Sequence, residues 1–131
     1  MKVRLFFILS AVGEAGIGLL LLVSPALVAT ILIGAPFDTV ADSVVGRVAG
    51  AALLALGIAC WLARDDGHHS AARGIVWAML LYNAVVAVVL AYAGIGLRLF
   101  GIALWPTVVL HVVMAIWCVV IVRTRTSLKA I

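Results

Sequence analysis

Long runs of hydrophobic residues alternate with short polar connections along the chain. Four of these runs stand out, at residues 5–23, 44–62, 74–93 and 103–122. Each is close to the roughly 20 residues that an α-helix needs to cross about 30 Å of hydrocarbon. The runs lack the alternating pattern of membrane β-strands, and a helix satisfies its backbone hydrogen bonds within lipid. The pattern therefore predicts an all-α fold, a bundle of four transmembrane helices that run up and down and are joined by short loops.

A fifth apolar stretch, at about residues 25–34, is too short to span a membrane. Pro25 suits the first turn of a new helix and Ser24 suits its N-cap, so we expect a short interfacial or re-entrant helix there. The alternative is a kinked extension of the first span. The connection that follows is more polar, and we expect Asp42 or Ser43 to cap the second span.

The composition is that of a membrane protein and excludes several other classes. Of the 131 residues, 67% are hydrophobic and 11% are charged, whereas about a quarter of the residues in a soluble domain are charged. This length and the short polar connections indicate a single integral membrane domain over residues 1–131. The net charge of +4 comes from dispersed Lys and Arg residues with no aromatic-basic stripe, so we expect no nucleic-acid partner.

The positions of the basic residues predict the orientation of the chain. Seven of the nine Lys and Arg residues lie near the two termini or in the second connection, at residues 64–73. By the positive-inside rule, both termini and this connection are cytoplasmic, and we expect a multi-pass protein of a bacterial inner membrane. The start of the chain resembles a signal peptide, but the apolar pattern resumes after Glu14 and continues to the end of the first span.

Glu14 stands near the middle of the first span, about 14 Å from its start. An ionised side chain at the centre of a bilayer costs at least about 2.5 to 3.5 kcal/mol, so polar partners are expected. Asn83 in the third span and His111 in the fourth lie at overlapping depths. Arg47 in the second span has a long side chain that reaches either toward Glu14 or up to the headgroups. These four residues are our candidates for ligand binding or proton coupling.

The neighbours of Glu14 predict which side of the helix carries it. Ser10 and Gly18 lie one turn away on the same face, and Gly13 and Gly16 are small enough for another helix to approach closely. Glu14 is therefore expected to face the inside of the bundle. Two plainer interpretations stay open: a protonated Glu14 that needs no cation, and polar residues that serve only as contacts between helices.

Two other groups of residues give weaker patterns. Cys60 and Cys118 lie at matching depths in the second and fourth spans, where thiols could bind a soft metal, but buried cysteines usually pack as small hydrophobic residues. His68 and His69 are adjacent and lack the spacing that places two ligands on one helix face, so a solvated loop is expected. We predict no catalytic residues, no metal and no cofactor.

Two stretches of the chain resemble the layout of small four-span bacterial proteins of the DoxX-like type. They are Gly16-Ile-Gly-Leu-Leu-Leu-Leu-Val-Ser-Pro25, with the short helix after it, and Arg47-Val-Ala-Gly-Ala-Ala-Leu-Leu-Ala-Leu-Gly57. Some members of such families are described as oxidoreductase-associated subunits, although no redox motif of this sequence matches that role. The small multidrug resistance transporters are similar in having four short helices and one membrane-embedded glutamate in the first, to which Glu14 alone corresponds.

Three functional hypotheses follow from these residues. The leading one is an accessory subunit or a protein that binds a lipophilic molecule within the bundle, because no complete catalytic constellation is present. The second is a small proton-coupled transporter that uses Glu14. The third is a membrane enzyme for a lipid or isoprenoid substrate, with Glu14 and His111 as acid and base. The expected partners are the lipid bilayer, a lipophilic ligand, and either further copies of the chain or a membrane complex.

Overall fold

The computed structural model describes residues 2–65 and 70–127, and the regular structure within them is helical. Five helices follow one another, the four long ones being apolar and long enough to cross a membrane. The chain is therefore a multi-pass membrane protein, and the predicted all-α fold with a short extra helix after the first span is confirmed. The helices are α1 (Lys2–Val23), α2 (Pro25–Ile33), α3 (Val40–Ala63), α4 (Ser70–Ile95) and α5 (Leu104–Ser127).

The bundle has two different ends because its four long helices alternate in direction. The start of α1, the connection between α3 and α4, and the end of α5 lie at one end, which we call the terminal end. The short helix α2 and the connection between α4 and α5 lie at the other, the α2 end. At the terminal end, the Nε atom of Arg4 lies 2.9 Å from Oδ1 of Asp65, and this ion pair links the start of α1 to the residues after α3.

The long helices α3 and α4 each begin four residues earlier than the hydrophobic pattern predicted, at Val40 and Ser70. At the start of α3, Oγ1 of Thr39 accepts a hydrogen bond from the backbone nitrogen of Asp42 at 3.1 Å. In return the Asp42 carboxylate accepts one from the backbone nitrogen of Thr39, also at 3.1 Å. The expectation that Asp42 or Ser43 is the N-cap was wrong, because this capping box starts the helix ahead of the apolar run.

Helices α1 and α3 approach each other closely. A Cβ atom added to Gly18 would lie 2.7 Å from the backbone nitrogen of Leu54 and 2.8 Å from the carbonyl oxygen of Gly50. Gly13 and Gly16, which were expected at such a contact, have no described atom within 4 Å of an added Cβ. That expectation was wrong because these two positions are rotated by one and two residues from Glu14 and therefore face lipid.

The α1/α3 pair meets the α4/α5 pair in an apolar core in the terminal half of the bundle. Phe6 packs edge-on against Trp117 of α5, with ring centroids 5.8 Å apart. Phe7 packs edge-on against Phe6 at 5.6 Å. We call this cluster the terminal core, and it joins all four long helices. Its other buried members are Ala11, Cys60, Ala63, Ala72, Val76, Met79, Cys118 and Ile121.

The short helix α2 holds the α1/α3 pair to the connection between α4 and α5. Ser24 has non-helical backbone angles and its side chain makes no capping hydrogen bond, while Pro25 occupies the first turn, so α2 is a separate helix. It ends at Ile33 and is capped by Gly34, whose φ of 76° suits a glycine C-cap. The backbone nitrogen of Ala103 donates to the carbonyl oxygen of Ile31 at 3.0 Å. A second, smaller core lies here, with Leu90, Ala93, Leu104 and Val108 packed against Leu32 and Ile33.

Candidate functional site in the middle of the bundle

Glu14 lies on the inner side of α1 and its residue is 9% exposed. The hydroxyl of Tyr82 on α4 donates a hydrogen bond to Oε2 of Glu14 at 3.0 Å. Tyr82 lies twelve residues after Ser70, the first residue of the 26-residue helix α4, and is far from both ends. The bond therefore joins α1 to α4 at the middle of the membrane-spanning segments.

A second hydrogen bond joins α4 to α5 at the same level. The side-chain nitrogen of the buried Asn83 donates to the carbonyl oxygen of Met79 at 2.7 Å, and Oδ1 of Asn83 lies 2.8 Å from Nδ1 of His111. Because the amide oxygen can only accept, Nδ1 of His111 carries the proton in this bond. The other ring nitrogen of a neutral His111, Nε2, is then an acceptor.

These two hydrogen-bonded pairs form one group, because the rings of Tyr82 and His111 pack edge-on with centroids 5.6 Å apart. We call Glu14, Tyr82, Asn83 and His111 the mid-membrane cluster. The depths of three members were predictable from sequence, but Tyr82 was missed. The sequence does contain an indication of its role, because tyrosines of membrane helices concentrate at the interfaces, whereas Tyr82 lies in mid-span next to Asn83.

Arg47 takes no part in the mid-membrane cluster. Arg47 is exposed, on the outside of α3. Of the two orientations that the sequence left open, the one toward Glu14 is therefore wrong. The ion pairs in the described part of the chain join Arg4 and Arg64 to Asp65 at the terminal end. Glu14 thus has no cationic partner among the described residues.

The mid-membrane cluster keeps unused hydrogen-bonding capacity. The bond to Tyr82 uses Oε2 of Glu14 and the bond to Asn83 uses Nδ1 of His111, while Oε1 and Nε2 have no partner among the described atoms. Ser10, one turn from Glu14 toward the terminal end, is buried, and its Oγ also lacks a partner within the described chain. A direct bond between Glu14 and His111, expected for an acid–base pair, is not among the hydrogen bonds of the described residues. The arrangement can therefore accept a further hydrogen-bonding or charged group.

The cysteines belong to a different part of the bundle. Cys60 and Cys118 are free thiols, and both are fully buried in the terminal core. No group of three or more His, Cys, Asp or Glu side chains that could hold a metal ion occurs among the residues that the structure describes. His68 and His69 lie outside those residues.

We predict that Asn83→Leu lowers the free energy of unfolding in detergent by about 1 kcal/mol, the scale of interhelical hydrogen bonds in membrane bundles. Leucine is similar in volume but leaves Nδ1 of His111 unpaired. Thr124→Val is the matched control, because Oγ1 of Thr124 bonds only to the carbonyl oxygen of Val120 within the exposed face of α5, and a change within about 0.5 kcal/mol is expected. Equal losses in the two variants would show that the Asn83–His111 bond does not stabilise the bundle.

The chain matches no protein-family model, no curated protein and no solved structure. The resemblance to DoxX-like proteins therefore stays a prediction, and the function has to be argued from the geometry of the bundle.

Proposed function

We propose that this multi-pass membrane protein binds a lipophilic cation, with Glu14 as the group that pairs with the positive charge. The observation that carries the proposal is the setting of Glu14: a carboxyl group in mid-membrane, with one hydrogen bond from Tyr82 and no cationic partner among the described residues. An ion in this position costs at least about 2.5 to 3.5 kcal/mol unless it is paired. A ligand cation provides that pairing.

The aromatic groups beside Glu14 support the same class of ligand. The faces of aromatic rings attract cations, most strongly where water is excluded. The hydroxyl of Tyr82 donates to Glu14, so a cation at the carboxyl lies beside the ring of Tyr82, which in turn packs against His111. The lipophilic part of the ligand is inferred from the surroundings, because most of the other residues in the spans that carry the cluster are apolar.

The orientation and the membrane are part of the proposal. At the terminal end, Arg4, Arg64, Arg73 and Arg123 lie close to the ends of the spans. The positive-inside rule then assigns the terminal end to the cytoplasm of a bacterial inner membrane and the α2 end to the opposite side.

A comparison of two probes of similar shape tests the proposal. Methyltriphenylphosphonium carries a permanent positive charge, whereas triphenylphosphine oxide is neutral. In equilibrium dialysis against the purified protein in detergent, corrected for protein-free micelles, we expect the cation to bind at least about tenfold more tightly, a difference of about 1.4 kcal/mol. Equal binding of the two probes, or no binding of either, would contradict the proposal.

A second candidate function is proton-coupled transport, favoured by the same carboxyl group. One carboxylate without a protein cation can hold either a proton or a ligand cation, but not both at once. Because the two compete for Glu14, the movement of protons in one direction is coupled to the movement of the ligand cation in the other. The test is uptake of methyltriphenylphosphonium into proteoliposomes under a pH gradient. Uptake that depends on the gradient in the wild type and is lost in Glu14→Gln is expected, and equal uptake by both proteins would remove Glu14 from the mechanism.

A further inference from the structure

The seam between α1 and α5 is closed differently in the two halves of the bundle. We define this seam by the faces of α1 and α5 that carry Phe6 and Trp117. In the terminal half it is sealed, because these two rings pack edge-on at 5.8 Å and Phe6 and Ser10 are buried. The buried residues of the terminal core lie behind them.

The same two faces are open in the α2 half. Ile17 lies seven residues after Ser10, two helical turns along the same face of α1, yet it is 45% exposed. Leu110 lies seven residues before Trp117, on the same face of α5, and is 58% exposed. Side chains that would be covered if the helices packed evenly along their length are thus accessible to lipid here.

The open part of the seam ends at the mid-membrane cluster. Glu14 lies between Ser10 and Ile17 along α1, and His111 directly follows Leu110 on α5. The α2 half of the seam thus extends to the level of Glu14, and the contact of Phe6 with Trp117 closes the seam further toward the terminal end.

We infer that the ligand enters sideways from the bilayer, through the α2 half of the α1/α5 seam, and that Ile17 and Leu110 form the entrance. This inference rests on the proposed function, since the occupant it names is the same lipophilic cation. Two properties of the seam match that occupant: its walls are apolar side chains, and its inner end carries an acidic group without a partner cation. A cation with a hydrophobic body satisfies both.

The test compares the binding kinetics of methyltriphenylphosphonium in two double variants. Ile17→Phe with Leu110→Phe narrows the entrance, and we expect both the association and the dissociation rate to fall at least about fivefold. Leu19→Phe with Val112→Phe is the matched control. Leu19 comes two residues after Ile17, and Val112 comes two residues after Leu110, so each lies on the opposite side of its helix from the seam. Leu19 is 51% exposed and Val112 is 43% exposed. The control rates are expected to stay within about twofold of the wild type.

A second variant keeps the test decisive if the larger side chains disturb folding. Ile17→Ala with Leu110→Ala widens the entrance and is expected to raise both rates. Unchanged rates in the seam variants, with wild-type equilibrium binding intact, would overturn the entry route alone. Absence of cation binding to the wild type would overturn the proposed function, and the two failures are thereby told apart.

Discussion

Replacing Gly18 by alanine is expected to lower the free energy of unfolding of the detergent-solubilised protein by about 1 to 3 kcal/mol, the usual cost of overpacking. The added Cβ would lie 2.7 Å from the backbone nitrogen of Leu54 and 2.8 Å from the carbonyl oxygen of Gly50. Both are main-chain atoms, so no side-chain rotation relieves the contact. The α1 and α3 helices must move apart, and α1 carries Glu14.

The matched control for this prediction lies two residues away on the same helix. An added Cβ at Gly16 has no described atom within 4 Å, so Gly16→Ala leaves the packing unchanged. Alanine has the higher helix propensity, by roughly 0.5 to 1 kcal/mol, and the control is expected to be neutral or slightly stabilising. Unfolding followed by circular dichroism measures both variants. Similar stability changes in the two proteins would contradict the close approach of α1 and α3.

The helices were predictable because hydropathy and length alone decide them in a membrane. Each predicted span lies within or almost within one long helix, and the short helix after the first span follows from Pro25. The early start of α3 was harder to predict, since it depends on a reciprocal pair of hydrogen bonds between Thr39 and Asp42. A prediction that places the N-cap next to the first apolar residue of the span misses this capping box, which begins several residues earlier in the chain.

The inward face of α1 was only half predictable. Glu14, Ser10 and Gly18 share a buried side, as the one-turn spacing predicted. Gly13 and Gly16 are close to Glu14 along the chain but lie on other sides of the helix, because each residue turns the helix by about 100°. Small size permits a close approach, but the partner helix decides which glycine is used.

The contacts within the mid-membrane cluster depend on how the helices are paired, and the hydropathy and depth of each residue do not predict that pairing. Matching depth was enough to place Asn83 near His111. Depth alone does not predict the partner of Glu14, because tyrosines of membrane helices concentrate at the interfaces and the side chain of Arg47 suits two orientations. The structure puts Arg47 outside and Tyr82 inside, and this exchange leaves Glu14 without a cation from the described protein.

Substitution of Glu14 by glutamine should weaken the binding of a lipophilic cation more than any other single change in the cluster. Glutamine keeps the size and an acceptor oxygen for the hydroxyl of Tyr82, so the fold is retained while the charge is lost. Loss of one partner of a buried, hydrogen-bonded charge pair costs about 2 to 5 kcal/mol in other complexes. Even the smallest of these values weakens binding by more than about tenfold.

The dissociation constant of methyltriphenylphosphonium, measured by equilibrium dialysis for the wild type, Glu14→Gln and Arg47→Gln, tests the central claim most directly. Arg47→Gln is the control, because it changes a charge within a span but outside the mid-membrane cluster. The account predicts a dissociation constant at least about tenfold higher for Glu14→Gln and within about twofold of the wild type for Arg47→Gln. Equal constants for all three proteins would contradict it.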